Sequence, residues 1–256
     1  MASSEEFNLD EYILHHLTDS QEWHLPFLPT IHLPEWLSLH GVMLLLSSFF
    51  LTLLFGILYK KEQRVPKGLT NLLESFIIFV RDDISIKYLG KEDGRKMAPL
   101  FCNFFFFILM LNIMGLIPLF STATSNINIT AGLAIITLTF MIFGAIYKNG
   151  IKGFFKAFIP SGVPAPVLIL LIPIEIAGLF IKAFALTIRL FANMLAGHIV
   201  IISLLGLIII IGKVALPAIF LAVGIYILEV LVAFLQAYIF TLLSAMFIGQ
   251  MLHPDH

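Results

Sequence analysis

Two stretches of this chain, Val163 to Gly212 and Val214 to Leu252, are 50 and 39 residues long, and no cluster of turn residues divides either near its middle. An α-helix rises ~1.5 Å per residue, and ~20 predominantly apolar residues cross the hydrocarbon core of a bilayer. Each stretch is about twice that length. They are therefore expected as two long tilted helices forming a hairpin, joined at Gly212, Lys213 and Pro217. Three shorter runs, Gly41 to Tyr59, Pro99 to Phe120 and Ala131 to Tyr147, hold no charged residue, and each suits a single span. The expected fold class is an all-α integral membrane protein with five membrane-spanning helices.

Composition supports this reading: 59% of the 256 residues are hydrophobic and 12% are charged, against roughly 25% charged in an average soluble domain. A formal net charge of -1 gives no basic excess for a nucleic-acid partner. Cys102 is the only cysteine and lies inside an apolar run, which excludes a disulfide framework and suits a small buried filler. The start of the chain is acidic where a secretory signal is basic, so the N-terminus is expected to be retained. A phosphate-cradling GxxxxGK[ST] loop is absent, so no nucleotide site is expected.

Nine Lys and Arg fall between Lys60 and Lys96, and three more are Lys148, Lys152 and Lys156, whereas residues 1–59 and 121–130 have none. Under the positive-inside rule the basic segments face the cytoplasm, which places the N-terminus outside and the C-terminus inside. Between the basic stretches, Leu69, Leu72, Leu73, Phe76, Ile77, Val80 and Ile84 repeat with helical spacing, opposite Thr70, Asn71, Glu74 and Ser75. That pattern predicts an amphipathic helix at the cytoplasmic interface. Residues 1–40 form a separate extracytoplasmic segment, ahead of a membrane domain over 41–256. Its histidines His16, His24, His32 and His40 recur every eight residues, a spacing that matches no compact zinc pattern, so no metal is expected.

The last two long stretches carry five ionisable residues, Glu175, Lys182, Arg189, His198 and Glu229, with Asn193 and Gln236 as further polar groups. An ionisable group within a bilayer costs from ~2.5 to over 10 kcal/mol and commonly marks an ion path. Polar residues also join membrane helices by hydrogen bonds worth roughly 0.6 to 2 kcal/mol, which accounts for an Asn or Gln. It accounts poorly for Arg189, which cannot deprotonate and needs water or a carboxylate. At ~100° per residue, Glu175, Lys182 and Asn193 fall within about 40° of Arg189, while His198 points to the opposite face. In an antiparallel hairpin, facing residues have numbers of nearly constant sum, which matches Arg189 with Gln236, His198 with Glu229, and Glu175 with Gln250 in depth. Histidine beside a carboxylate suits proton exchange near neutral pH; a static buried ion pair is the alternative.

The segment from Leu186 to His198, LTIRLFANMLAGH, resembles the signature of subunit a of the rotary F-type ATP synthase, in which an arginine precedes an asparagine by four residues. VPKG at Val65 to Gly68 with Glu74, NIMGLIP at Asn112 to Pro118, and Glu229 with Gln236 also resemble that family. The resemblance implies that Arg189 faces the carboxylate of a rotating c-ring, with Gln236 as its neighbour. Asn193, His198 and Glu229 would line an outer proton half-channel, and Glu175 a cytoplasmic one. His198 and Glu229 exchange residue types with some bacterial members. Lys182 departs from the pattern and has no assigned role. A non-catalytic, proton-translocating stator subunit of a bacterial inner membrane is implied, with the c-ring, peripheral stalk subunit b, lipid and protons as partners, and no cofactor. Two rival classes are a secondary transporter, which internal repeats would favour, and a purely structural membrane scaffold.

Overall fold

A computed structural model describes residues 22–23, 31–34, 37–58, 68–117, 120–159, 164–211 and 216–254. His16, His24, Val65, Pro66, Lys67, Pro118, Gly212 and Lys213 lie outside the described residues. Among the described residues, two short antiparallel strands, β1 (Glu22–Trp23) and β2 (Ile31–His32), precede six helices: α1 (Leu39–Leu58), α2 (Leu69–Phe79), α3 (Lys87–Leu116), α4 (Ile127–Lys156), α5 (Ala165–Ile211) and α6 (Leu216–Leu252). A wide π-type turn, Val80–Ile86, carries α2 into α3, and a 3₁₀ turn, Ala123–Ser125, precedes α4. Five of these helical stretches are long and apolar enough to cross a membrane, as the sequence predicts.

The helices outrun the charge-free runs because backbone hydrogen bonding continues where apolar side chains stop. Hence the α3 stretch starts before Pro99 and holds it inside, with a break at non-helical Gly90. The α4 stretch passes Tyr147 to a break at non-helical Gly150, before a last short helical segment that ends at Lys156. Asn126 starts α4 by accepting a hydrogen bond from the Asn128 amide at 2.9 Å, as an N-cap does. At 47 and 37 residues, α5 and α6 are the expected long helices. The second begins at Leu216 and so includes Pro217, where a helix start tolerates the missing N–H.

The amphipathic helix expected at the interface folds back along α3. Gly90 has a φ of 79°, open to glycine without strain, and there the chain reverses. Ser85 then donates to the Gly94 carbonyl at 2.6 Å, and further along the hairpin Phe76 meets Phe105 at 5.8 Å between ring centroids. The apolar stripe of α2 lies on the bundle through Phe76 against Phe234 and Phe79 against Tyr238, while Leu69 and Leu72 stay exposed. Lipid tails are as apolar as leucine, so close packing rather than water exclusion holds such helices together. Central α3 supplies most of it with buried Phe101, Phe104, Phe105, Phe106 and Ile108, reached from α6 by Phe240 and from α1 by Phe55. At the basic end, Lys148 of α4 pairs with Asp93 of α3, and His253 joins both Asp93 and the Leu89 carbonyl.

Candidate proton-path site

The groups that the sequence singles out for a proton path, Glu175, Arg189, Asn193, His198, Glu229 and Gln236, stand on α5 or α6, and α5 presents its own in two directions. Arg189 is exposed, and among the described residues its guanidinium makes no hydrogen bond or ion pair. Phe180, Ile181 and Phe184, one to three turns earlier, are exposed on α5 as well, so the cation stands on an apolar surface. One turn later Asn193 donates to Gln236 Oε1 on α6 at 3.1 Å. Gln236 is buried, and its amide nitrogen has no hydrogen-bond partner among the described residues. Glu175 is exposed and unbonded among the described residues, four turns before Arg189.

His198 turns the other way. Its Nε2 lies 2.7 Å from the Thr122 hydroxyl, which also lies 3.2 Å from the Gly115 carbonyl. Thr122 is buried beside the 3₁₀ turn, where Thr124 donates to Asn112 Oδ1 at 2.9 Å and Asn112 donates to the Ala233 carbonyl of α6 at 3.3 Å. The Tyr226 hydroxyl donates to the Leu116 carbonyl at 3.1 Å. These bonds tie the end of α3 and the following turn to both long helices.

Glu229 is 6% exposed, and among the described residues neither of its carboxylate oxygens has a hydrogen-bond partner. It rests on Gly197, where a Cβ would lie 1.9 Å from Oε1, so only glycine leaves room for the carboxyl group. Buried carboxylate oxygens without a donor need a proton or water. Glu229 and His198 thus come to one level through Gly197, without a hydrogen bond to the Glu229 oxygens. Along the helices, nine residues separate His198 from Arg189 and seven separate Glu229 from Gln236, or ~14 and ~11 Å. The polar groups therefore form two clusters offset along the bundle.

Depth matching brings some pairs together and shifts others. Gln236 takes Asn193 rather than Arg189. Gln250 accepts from Lys182 at 3.1 Å in place of meeting Glu175, and the Lys182 ammonium also stands 5.4 Å from the Phe247 ring centroid. Sequence reasoning did not single out Thr122, Thr124, Tyr226 or Gly197. Asn112 and Gly197 stood in family-like motifs without a role, and Thr122, Thr124 and Tyr226 carry no charge to draw notice. In the N-terminal part, His32 is exposed on β2, and buried His40 meets the Asn126 amide at 3.2 Å.

Residues 41–249 match the family model described as ATP synthase A chain. The chain is 45% identical over 95% of its length to the ATP synthase subunit a of Chloroherpeton thalassium, covering 77% of that protein. It is 43% identical over 93% of its length to the subunit a of Chlorobium phaeobacteroides, covering 75% of that protein. Against the subunit a of Anaeromyxobacter dehalogenans it is 45% identical over 82% of its length but spans 56% of that relative.

Proposed function

The chain belongs to the ATP synthase A chain family, a family of multi-pass membrane proteins acting as proton-translocating stator subunits, and from that premise we propose that Arg189 faces the carboxylates of a rotating c-ring between two offset proton half-channels. The outer half-channel runs by His198, Glu229 and Asn193, and the cytoplasmic one by Glu175. Gln236 orients Asn193 beside the arginine.

The observation that carries this reading is the exposed guanidinium of Arg189, unbonded among the described residues, on an apolar helix surface. A permanent cation there needs a carboxylate or water from outside the chain. A rotor carboxylate arriving protonated from the outer side crosses lipid at low cost, because it carries no charge. On meeting Arg189 its ionised form is favoured, and the proton leaves by the other half-channel. The fixed positive charge also opposes direct leakage between the two. Glu229, buried with no donor on either oxygen, is suited to holding a proton in transit.

In this proposal the membrane is a bacterial inner membrane, with the N-terminus outside and the basic segments and C-terminus in the cytoplasm. Residues 41–256 form the membrane domain, subunit b of the peripheral stalk holds it stationary, and ATP chemistry lies on other subunits. The test is ATP-driven proton pumping in inverted vesicles carrying Arg189→Ala beside wild type, at equal assembly. Loss of pumping is the expected result. Unchanged pumping would overturn the rotor-facing role.

A further inference from the structure

Away from α5, a cavity of ≈ 670 Å³ opens between α1 and the α2–α3 hairpin, in the size range of small-molecule sites. Its walls combine apolar Leu51, Phe55, Ile77 and Phe106 with two arginines, Arg81 and Arg95. Those are the only charged residues among its lining residues, and both are exposed. Arg81 gives Nε and Nη2 to Asp82 at 2.7 and 2.9 Å, which leaves Nη1 for another acceptor. Arg95 has no hydrogen bond among the described residues. The polar rim is completed by Thr52 and Asn103, and Cys102 lines the floor.

The arrangement is a mouth with two arginines, Arg95 and the Asp82-paired Arg81, above an apolar crevice. It lies at an end of the bundle where Lys96 and Lys148 pair with Glu92 and Asp93 and where Lys87, Lys91 and Asp83 also stand. Arginine forks match phosphate oxygens with several donors at once. Basic pockets between membrane helices suit anionic lipid headgroups. The geometry points to a binding site for an anionic phospholipid, its phosphate between Arg81 and Arg95 and an acyl chain along Leu51, Phe55 and Phe106. This site is independent of the proton path: none of its lining residues belongs to α5 or α6.

Cys102, the only cysteine of the chain, makes the site testable in the assembled complex. Complexes are placed in vesicles of phosphatidylcholine alone or of phosphatidylcholine mixed with phosphatidylglycerol. Maleimide labelling of the Cys102 peptide is then followed by mass spectrometry. Phosphatidylglycerol is expected to slow labelling of the wild type, and inorganic phosphate without an acyl chain is expected to leave it unchanged. Each arginine near an anionic headgroup is worth about a fivefold preference. The Arg81→Gln/Arg95→Gln variant should therefore need about tenfold or more phosphatidylglycerol for half-protection, while Arg81→Lys/Arg95→Lys should retain most of it. Equal wild-type labelling in the two vesicles would overturn the site, and that comparison needs no variant. So would equal protection by inorganic phosphate, or shielding of Cys102 in both vesicles by a protein neighbour captured by cross-linking.

Discussion

The two sides of α5 treat polar groups in opposite ways. Toward α3 and α6, His198 is bonded to Thr122, Thr122 reaches Gly115, and Asn112 binds the backbone of α6. Toward the outside, Arg189 and Glu175 are exposed and unbonded among the described residues. A chain selected for stability alone would place its costliest groups where its own donors and acceptors satisfy them. The difference teaches that the inward groups are largely tied into this chain, with the Glu229 carboxyl oxygens and the Gln236 amide nitrogen as the exceptions among the described residues. The outward cation and carboxylate are left, in the proposed function, for the rotor and water.

The largest test of that contrast is Arg189→Gln. No internal bond is lost, so assembly and the thermal midpoint of the complex should stay at wild-type values. Removing one preorganised charge from the transfer path should lower proton pumping by on the order of 100-fold. A variant that failed to assemble would break the comparison, because the arginine would then be serving the fold.

Gly197→Val should come next. The added side chain starts 1.9 Å from Glu229 Oε1, so the carboxyl group must leave its seat or the helices must part. Overpacking of this kind costs about 1–3 kcal/mol. We expect pumping to fall about tenfold, with a lower thermal midpoint. Glu229→Ala in the same chain should restore the midpoint and leave pumping low. Restored pumping would show that the Glu229 carboxyl group is dispensable.

The spans and the hairpin were legible in the sequence because length and charge are one-dimensional signals. Gly41 to Tyr59 differs from α1 by a residue or two at each end. Which residues pair across the hairpin was less legible. Observed partners are Gly197 with Glu229, Asn193 with Gln236 and Lys182 with Gln250, and their summed numbers grow with side-chain reach. Side chains lean toward the N-terminus of their own helix. In an antiparallel pair the two therefore lean toward each other, and a long residue on α5 meets a partner further along α6 than a count of Cα positions gives. The reversal at Gly90 lies within the charged stretch Lys87 to Lys96, which marked a boundary between apolar runs but did not show that the chain turns back on itself there. Thr122 was hidden because a hydroxyl in a charge-free loop looks like any other turn residue.

A smaller effect is expected from Thr122→Val, which keeps shape and removes the hydroxyl shared by His198 and Gly115. Hydrogen bonds between membrane helices are worth about 1 kcal/mol, so the thermal midpoint should fall by about 2–4 °C. Pumping should drop only a few-fold. Together with Arg189→Gln this gives a crossed pair, one variant moving stability and the other moving function. Equal behaviour of the two would remove the distinction between the inward and outward faces.

Lys182→Met should have the least effect. Lys182 is half-buried, bonds only Gln250 among the described residues, and lies beside the Phe247 ring. Methionine keeps the apolar stem that packs between the helices, and a lone polar contact at a partly exposed site contributes little. The midpoint should fall by no more than about 2 °C, with pumping near the wild-type rate. The outcome matters because Lys182 lies on the same side of α5 as Arg189 yet is bonded within the chain. If pumping collapsed while the midpoint held, Lys182 would join the outward group, and the proposed rotor-facing surface would carry a second cation.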